Sequence, residues 1–203
     1  MATVKNIPFR LGVTGGIGSG KTSVCKVFNV LGIPVFSADP VARDIMDKDA
    51  GIRLRLNTIA GRDLYRGGEL NRAELAGLIF NNQALLEKVN SLVHPLVFNN
   101  FIEWSVRQSS PYVIMDAAIL FESGASKLVD RIATVVAPVE ERIERVMQRN
   151  NLTGEQVRER IRNQMEDDER MKLSHYIINN SENDMIIPAV IRIHNDLLKI
   201  INK

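Results

Sequence analysis

The chain has little cysteine and no long apolar stretch. Cys25 is the only cysteine among 203 residues, so no disulfide can form within the chain, and zinc sites built on clustered cysteines are excluded. No stretch approaches the roughly 18 uncharged apolar residues of a membrane span, and residues 1–10 lack the apolar core of a secretion signal. Because a lone thiol also suits a reducing cytosol, we expect a cytoplasmic protein.

Neither sign of charge dominates the composition. The 26 basic and 24 acidic residues leave a net charge of only +2, whereas a nucleic-acid-binding protein usually shows a concentrated basic face. Hydrophobic residues at 45% and charged residues at 25% exclude wholesale disorder. Repeats, low-complexity tracts and Gly/Ser-rich linkers are lacking as well. The length therefore predicts one well-buried domain, with room for a small insertion.

One segment near the start of the chain is rich in glycine. Residues 15–22 read Gly-Gly-Ile-Gly-Ser-Gly-Lys-Thr and match the phosphate-binding pattern G-x-x-x-x-G-K-[ST]. Glycines let the backbone approach an anion closely, and backbone N–H groups at a helix start surround phosphates. Lys21 would reach the β and γ phosphate oxygens, and Thr22 would offer its hydroxyl to Mg²⁺. The pattern therefore predicts an ATP or GTP site.

The patterns around this motif alternate between strand and helix. Residues 9–13 predict a strand, 23–31 a helix and 34–38 a second strand, which is the order of a βαβ unit with a parallel sheet. The predicted fold class is therefore α/β, a parallel sheet of the P-loop nucleotide-binding type flanked by helices. The other expected elements are a helical stretch at 72–107, strands at 112–115, 131–137 and 175–178, and helices at 139–150, 154–170 and 185–201.

The absence of two kinds of motif narrows the possible classes of nucleotide-binding protein. The sequence lacks the Asn-Lys-x-Asp and Asp-x-x-Gly strings of GTP-binding switches, and Ala117 follows the strand-ending Asp116 where mechanical ATPases carry glutamate. A kinase remains, which must exclude water, bind an acceptor and close an arginine-bearing lid over the phosphates. Seven arginines between Arg142 and Arg170 are candidates for that lid, although a solvated helical face with ion pairs explains them equally well.

Asp39 follows the second predicted strand, at the sheet edge where ligands of α/β proteins bind. It is a candidate for the residue that orients the acceptor hydroxyl and takes its proton. The same Asp39-Pro40 pair also suits a helix start, with aspartate as the cap and proline in the first turn. The spacing alone leaves both interpretations open.

Motifs spread along the chain are typical of one family. They are residues 11–22, Ala38-Asp39 with Ala42-Arg43, 68–72 with Leu75 and Phe80, His94-Pro95, 120–124, 145–149, Arg160-Ile161 with Gln164, and 178–180. Through these motifs the sequence resembles the dephospho-coenzyme A kinases along nearly its whole length. It departs from their usual pattern at Ser37, Ala118, Asn150 and Ser174-His175, none of which lies in the glycine motif.

The resemblance implies a reaction and a division of the chain. ATP would phosphorylate the ribose 3′-hydroxyl of dephospho-CoA in the presence of Mg²⁺, giving CoA and ADP, the last step of coenzyme A biosynthesis. A helical insertion at 62–108 would bind dephospho-CoA, and an arginine-bearing helical lid would span 139–170. No nucleic acid, membrane or obligatory protein partner is implied. The nucleotide-binding core would comprise 1–61, 109–138 and 171–203.

The resemblance also implies functional residues. Asp39 would meet the ribose hydroxyl, and Arg145 and Arg149 would close over the phosphates. The expected catalytic residues are Lys21, Asp39, Arg145 and Arg149. The expected nucleotide-binding residues are Gly15, Gly16, Gly18, Ser19, Gly20, Lys21, Thr22, Ser23 and Asn180, with Thr22 as the metal ligand. The expected acceptor-binding residues are Thr14, Asp39, His94 and Glu122.

Several interpretations stay open at this point. His94 and Glu122 either contact substrate or serve the structure, and Asp116 is a weaker candidate for approaching Mg²⁺ through water. Another P-loop kinase, acting on a nucleotide or nucleoside, would share the glycine motif and differ in the insertion. A nucleotide-dependent protein that binds RNA or DNA through the arginines would show a steep salt dependence.

Overall fold

The computed structural model describes residues 7–80 and 82–203. Residues 1–6 of the predicted N-terminal region, and Asn81 of the predicted helical stretch, lie outside the described residues. Among the described residues, no helix combines the length and the apolar character that a membrane crossing requires.

The helices and strands follow in the order β1 (Phe9–Thr14), α1 (Lys21–Val30), β2 (Val35–Ser37), α2 (Ala38–Lys48), α3 (Ala50–Ala60), β3 (Tyr65–Arg66), β4 (Glu69–Leu70), α4 (Arg72–Ile79), α5 (Gln83–Ser105), β5 (Tyr112–Asp116), a 3₁₀ turn (Ala125–Leu128), β6 (Arg131–Val136), α6 (Val139–Asn150), α7 (Gly154–Arg162), α8 (Asp167–Lys172), β7 (Tyr176–Asn179) and α9 (Ile186–Ile201).

Five of the described strands form one parallel sheet in the order β2-β5-β1-β6-β7. Leu11 in the middle of β1 pairs with Ile114 of β5 on one side and with Arg131 of β6 on the other. Tyr112, Val113 and Ile114 are fully buried, because parallel strands in the middle of such a sheet are covered on both faces and read as continuous apolar runs. The predicted α/β class with a parallel sheet is confirmed.

Two helices cover one face of the sheet. Val24 and Phe28 of α1 pack with Val190 and Leu197 of α9 and with inward-facing strand residues such as Leu11. Since successive strand residues point to opposite faces, every second residue of β1 and β5 joins this cluster. This packing fixes the start of α1 at the carboxyl end of β1.

The opposite face meets the segments that follow β5 and α8. A Cβ at Gly12 would lie 2.7 Å from Cδ2 of Leu120, so the chain after β5 passes directly over the central strand. Farther along this face, the hydroxyl groups of Thr134 and Ser174 are hydrogen-bonded at 2.6 Å. Protein segments therefore cover both faces of the central strands. In open α/β sheets of this kind, ligands bind at the carboxyl ends of the strands.

The described residues divide into two compact units. The larger unit comprises 7–37 and 104–203, and the smaller comprises 38–103. The larger unit contains the five-stranded sheet, and the smaller unit contains α2, α3, the hairpin β3–β4, α4 and most of α5. The predicted division into core, insertion and lid is a functional one and stays a prediction.

Polar contacts hold the smaller unit together. The hydroxyl of Tyr65 in the hairpin donates to the carbonyl oxygen of Met46 at 2.6 Å. Nη2 of Arg72 in α4 pairs with Oδ2 of Asp47 at 2.5 Å. Both partners lie near the end of α2, so this helix anchors the hairpin and α4.

Some predicted boundaries are wrong. The helix predicted at 154–170 is two helices, α7 and α8, separated by residues 163–166. The stretch predicted to be helical at 72–107 is helical in the structure and contains the two helices α4 and α5. Helix α3 and the hairpin have no counterpart among the predicted elements, although Asp49 caps the start of α3 and Gly61, with φ of 67°, ends it. These two cap residues are sequence signals that predict a helix between them.

Candidate active site

The glycine motif forms a tight loop between β1 and α1. The N–H of Ser19 donates to the carbonyl oxygen of Gly16 at 3.1 Å, and Nζ of Lys21 donates to the carbonyl oxygen of Gly15 at 2.8 Å. Helix α1 begins at Lys21, and the preceding Gly20 has a left-handed φ of 95°. Because the first N–H groups of a helix lack partners within it, they favour anions. The loop therefore combines backbone donors with one ammonium group, a set of groups that suits an anion.

Helix α6 lies directly against this loop. A Cβ at Gly18 would stand 2.5 Å from the carbonyl oxygen of Arg142 in α6, and Gly18 has φ of 80°. A Cβ at Gly16 would overlap Nη2 of the same arginine. These glycines therefore allow the close approach of a neighbouring helix, in addition to any ligand.

Replacing Gly18 by alanine is expected to destabilise the fold and to weaken nucleotide binding. A left-handed backbone costs an alanine roughly 1–2 kcal/mol, and overpacking against α6 adds roughly 1–3 kcal/mol. Gly124 offers a matched control, since its φ is 79° and a Cβ there would meet nothing within 4 Å. Urea unfolding of the two alanine variants measures the difference. Equal losses of unfolding free energy would contradict the packing of α6 on the loop.

Arg142 of α6 reaches the loop with its side chain. The side chain is 3% exposed, Nε donates to the carbonyl oxygen of Ile17 at 2.9 Å, and Nη1 donates to Oδ2 of Asp167 at 2.5 Å. Burial lowers the pKa of Arg142, and the Asp167 carboxylate opposes that shift. Oδ1 of Asp167 also accepts from Nη1 of Arg170 at 2.7 Å, and Arg170 is fully buried. Two buried cations thus share one carboxylate next to the loop.

The segment between α7 and α8 holds two loops of the larger unit. Oε1 of Gln164 accepts from the N–H of Ile17 at 2.8 Å, and the N–H of Met165 donates to Oε1 of Glu122 at 3.1 Å. The same Glu122 oxygen lies 3.5 Å from Nη2 of Arg170, as an ion pair without hydrogen-bond geometry. Glu122 therefore has a structural partner in this segment, and its contact with an acceptor stays a prediction.

Asn180 and Arg145, both expected at the nucleotide, lie at the loop. Nδ2 of Asn180 donates to the carbonyl oxygen of Ser19 at 2.7 Å, and a Cβ at Gly20 would overlap that nitrogen. Nη1 of Arg145 donates to the carbonyl oxygen of Asn180 at 2.9 Å, and its Nη2 pairs with Glu141 at 2.8 Å. The chain after β7 and helix α6 therefore meet at the start of α1.

Other residues expected near the nucleotide differ in their exposure. Thr22 and Ser23 are exposed in the first turn of α1. Arg149 is exposed near the end of α6, where Nε donates to the side chain of the next residue at 2.9 Å. Thr14 is fully buried, and Oγ1 donates to the carbonyl oxygen of Ala118 at 3.4 Å. Thr22, Ser23 and Arg149 are thus accessible to a ligand, whereas Thr14 is packed within the fold.

Asp116 ends β5 at the carboxyl edge of the sheet. It pairs in register with Val13 of β1 and with Ser37 of β2. Burial raises the pKa of the Cys25 thiol in α1, the nearby Asp116 carboxylate raises it further, and Lys21 lowers it. Asp116 and Lys21 therefore both lie close enough to act on one buried group at the start of α1.

Two expected residues, Asp39 and His94, belong to the smaller unit. Asp39 is exposed in the first turn of α2, which begins one residue earlier at Ala38. It thus lies inside the first turn and not at the capping position before it. The ring of His94 in α5 stacks on Phe98 with the centroids 6.0 Å apart, and burial lowers its pKa. His94 is therefore a partly buried imidazole whose surroundings favour the neutral form.

Arg142, Asp167 and Arg170 are candidates that the sequence patterns do not single out. The patterns count Arg142 and Arg170 among seven arginines and do not distinguish them from exposed ones. One signal exists for Arg142: it stands four residues before the buried Val146, and residues four apart share a helix face. The contact with Ile17 joins residues 125 positions apart, which no local pattern contains.

The chain matches a known family over most of its length. A family model described as dephospho-CoA kinase matches residues 9–185. The chain belongs to the dephospho-CoA kinase family. Dephospho-CoA kinases of Bacteroides fragilis and Porphyromonas gingivalis are each 37% identical to it, over 91% of this chain and 90% of the first relative, and over 90% of this chain and 91% of the second. A crystal structure from Thermus thermophilus, 31% identical, has a TM-score of 0.82 and covers 96% of this chain and 98% of that one.

Membership of the dephospho-CoA kinase family confirms the resemblance found in the sequence. The chain is therefore an enzyme, a kinase that uses ATP. The glycine loop at 15–20 lies between the strand β1 and the helix α1, the position that its phosphate-binding pattern predicts.

Proposed function

We propose that this kinase transfers the γ-phosphoryl group of ATP to the ribose 3′-hydroxyl of dephospho-CoA, giving CoA and ADP. The observation that carries the proposal is the glycine loop closed onto the start of α1, in a chain that matches the dephospho-CoA kinase family over 9–185. The hydroxyl oxygen bonds to the γ-phosphorus, and the bond from that phosphorus to the β–γ bridging oxygen breaks. The displaced ADP carries away the bridging oxygen.

The loop and Lys21 stabilise the charge of the transferring group. Glycines at 15, 16, 18 and 20 bring backbone N–H groups to the phosphates, and Ser19, Thr22, Ser23 and Asn180 complete the nucleotide site. Nζ of Lys21 donates to the carbonyl oxygen of Gly15 at 2.8 Å, which holds the ammonium group at the loop. We assign this ammonium group to the β and γ phosphate oxygens. Because phosphoryl transfer depends mainly on positioning and charge neutralisation, this contact is central.

Asp39 is the proposed acceptor of the hydroxyl proton. It is exposed in the first turn of α2, directly after the strand β2, and the carboxyl ends of strands are where α/β proteins bind ligands. Its carboxylate orients the 3′-hydroxyl and takes its proton as the bond to phosphorus forms. Thr14, His94 and Glu122 are the further residues that we propose for the acceptor site.

Magnesium fits the residues at the start of α1. In kinases Mg²⁺ is held by one or two protein oxygens together with phosphates and water, so a protein cage is not required. The described residues contain no group of three or more His, Cys, Asp or Glu side chains that would form one. The exposed Thr22 hydroxyl in the first turn of α1 is a suitable oxygen ligand. When bound, the ion would neutralise charge on the β and γ phosphate oxygens.

Arg145 and Arg149 are the proposed lid arginines, and Arg149 offers the cleaner test. Replacing Arg149 by lysine keeps the charge but removes the planar fork that binds phosphate through two donors. We expect kcat to fall by about tenfold or more, the value of a lost hydrogen bond to a charged group. Arg162→Lys is the control, since Arg162 is an exposed arginine of α7. Steady-state kinetics compare the two, and unchanged kinetics in Arg149→Lys would remove it from the phosphate site.

An ADP-release assay across acceptors tests the proposed function. Dephospho-CoA is expected to stimulate ADP release strongly, whereas AMP and uridine are expected to stimulate it weakly. A clear preference for AMP or uridine would instead assign the chain to another kind of P-loop nucleotide or nucleoside kinase. We also propose that the enzyme works in the cytoplasm on small molecules, without nucleic acid, membrane or an obligatory protein partner.

A further inference from the structure

Ile17, in the middle of the glycine loop, is attached to the helices α6 to α8 in three ways. Its N–H donates to Oε1 of Gln164 at 2.8 Å, and its carbonyl oxygen accepts from Nε of Arg142 at 2.9 Å. Its side chain packs against the small cluster of buried residues Ile143, Val146 and Val157. Both backbone polar groups of Ile17 are thus bonded to side chains, which leaves the neighbouring glycines to face the phosphates.

Arg142 is held in this position by buried charge. Its side chain is 3% exposed, and a buried guanidinium requires a carboxylate and hydrogen bonds to compensate for lost hydration. Asp167 supplies the carboxylate at 2.5 Å, and its other oxygen binds Arg170, which in turn lies 3.5 Å from Glu122. Nη2 of Arg142 fills the space above Gly16, where a Cβ would overlap it. The guanidinium of Arg142 is therefore held in one position against the backbone of the glycine loop.

We propose that Arg142, held by Asp167, is a positioning residue for ATP, a role that rests on the proposed nucleotide site. The loop contains glycines with left-handed φ at 15, 18 and 20, and such a backbone loses much conformational freedom when it closes on a ligand. Gln164 holds the N–H of Ile17 and Arg142 holds its carbonyl oxygen before the nucleotide binds. Preorganisation of this kind increases affinity because less entropy is lost on binding.

The dissociation constant of MgATP, measured by titration calorimetry, tests this role. Arg142→Lys keeps the charge opposite Asp167 but loses the planar fork, which places Nε on the carbonyl oxygen of Ile17 and Nη1 on Asp167. We expect MgATP to bind about ten- to a hundredfold more weakly, as for the loss of a hydrogen bond to a charged group. The KM for dephospho-CoA is expected to change by no more than about twofold, because the acceptor does not use the Ile17 peptide. A general loss of structure would raise both constants.

A second lid arginine provides the matched control. Arg158 pairs with Glu140 at 2.8 Å between α7 and α6, and both side chains are exposed. Arg158→Lys is expected to bind MgATP within about twofold of wild type, since exposed ion pairs contribute little. Asp167→Asn is also expected to weaken MgATP binding, because the Asp167 carboxylate that holds the Arg142 guanidinium is lost.

The outcomes separate this inference from the proposed function. A wild-type protein that does not bind MgATP would overturn the proposed function. Wild-type binding together with unchanged binding in Arg142→Lys would overturn only the positioning role. Hydrogen exchange of the wild-type protein without nucleotide adds a measurement that needs no variant. The Ile17 amide is expected to be protected, and exchange as fast as that of an exposed amide would equally overturn the role.

Discussion

Replacing Lys21 by alanine is expected to lower kcat/KM for phosphoryl transfer by about 10³-fold or more. Removing one preorganised donor from a transition-state charge typically costs about 10²- to 10³-fold, and Lys21 is assigned to oxygens of two phosphates. The ammonium is placed for this task, because α1 begins at Lys21 and its Nζ already lies 2.8 Å from the loop carbonyl oxygen of Gly15. Coupled measurement of ADP release over a range of ATP concentrations gives the loss.

Lys26→Ala is the matched control for this prediction. Lys26 lies on the same helix and is exposed, so the substitution removes an equal charge from α1 away from the loop. We expect kinetics within about twofold of wild type, because surface substitutions change little. Normal turnover by Lys21→Ala would refute the assignment of the loop to the phosphates.

Replacing Asp39 by asparagine is expected to lower kcat by about 10²- to 10⁴-fold, the range that general base catalysis contributes. Asparagine has nearly the same shape, so the fold is preserved while the proton acceptor is lost. A structural role predicts a different result. A carboxylate in the first turn of α2 contributes about 0.3–1 kcal/mol through the helix dipole, which lowers the melting temperature slightly and leaves kcat unchanged.

Asp44→Asn separates the two roles of Asp39. Asp44 lies on the same helix, is exposed and pairs with Lys48 one turn later. We expect it to keep wild-type kcat and to lose only the small stability of an exposed ion pair. A large fall in kcat for Asp39→Asn at an unchanged melting temperature supports catalysis. A fall in melting temperature with normal kcat would leave Asp39 as a helix residue only.

Local patterns correctly predict the parallel sheet and the position of the glycine loop between a strand and a helix. The glycines, Lys21 and Thr22 form one continuous motif in the sequence. The apolar strand β1 directly precedes this motif, and the apolar strand β5 pairs with β1. The motif depends on residues that are neighbours in sequence, and strands buried on both faces appear as continuous apolar runs. Both signals are visible in the sequence itself. The α/β class and the strand-loop-helix order of the motif therefore follow from the sequence.

Boundaries inside polar helical regions are not predicted in the same way. Residues 154–170 are rich in helix formers and lack glycine or proline after Gly154. The local signals for a break are weak: two arginines end α7, and three acidic residues begin α8. The break lets Gln164 reach Ile17 and lets Met165 reach Glu122. Distant contacts outweigh propensity here, because propensity differences among ordinary residues are below about 0.7 kcal/mol.

The arginines of α6 show the same limit. The resemblance to the dephospho-CoA kinases implies Arg145 and Arg149 as phosphate ligands. In the structure Arg145 donates to the carbonyl oxygen of Asn180 at the loop, and Arg149 is exposed beside Asn150. Arg142, which contacts the loop directly, differs from them only by lying on the buried face of α6. Its partners Ile17 and Asp167 come from distant parts of the chain, so only the assembled fold identifies it.

Phosphorus NMR of the complete reaction distinguishes phosphoryl transfer to dephospho-CoA from hydrolysis of ATP. The purified protein, magnesium-ATP and dephospho-CoA are incubated together, with a parallel sample that lacks the acceptor. We expect a new 3′-monoester signal that grows together with the ADP signals, and little ATP consumption without acceptor. Equal loss of ATP in both samples, with inorganic phosphate and no new monoester, would contradict phosphoryl transfer to dephospho-CoA.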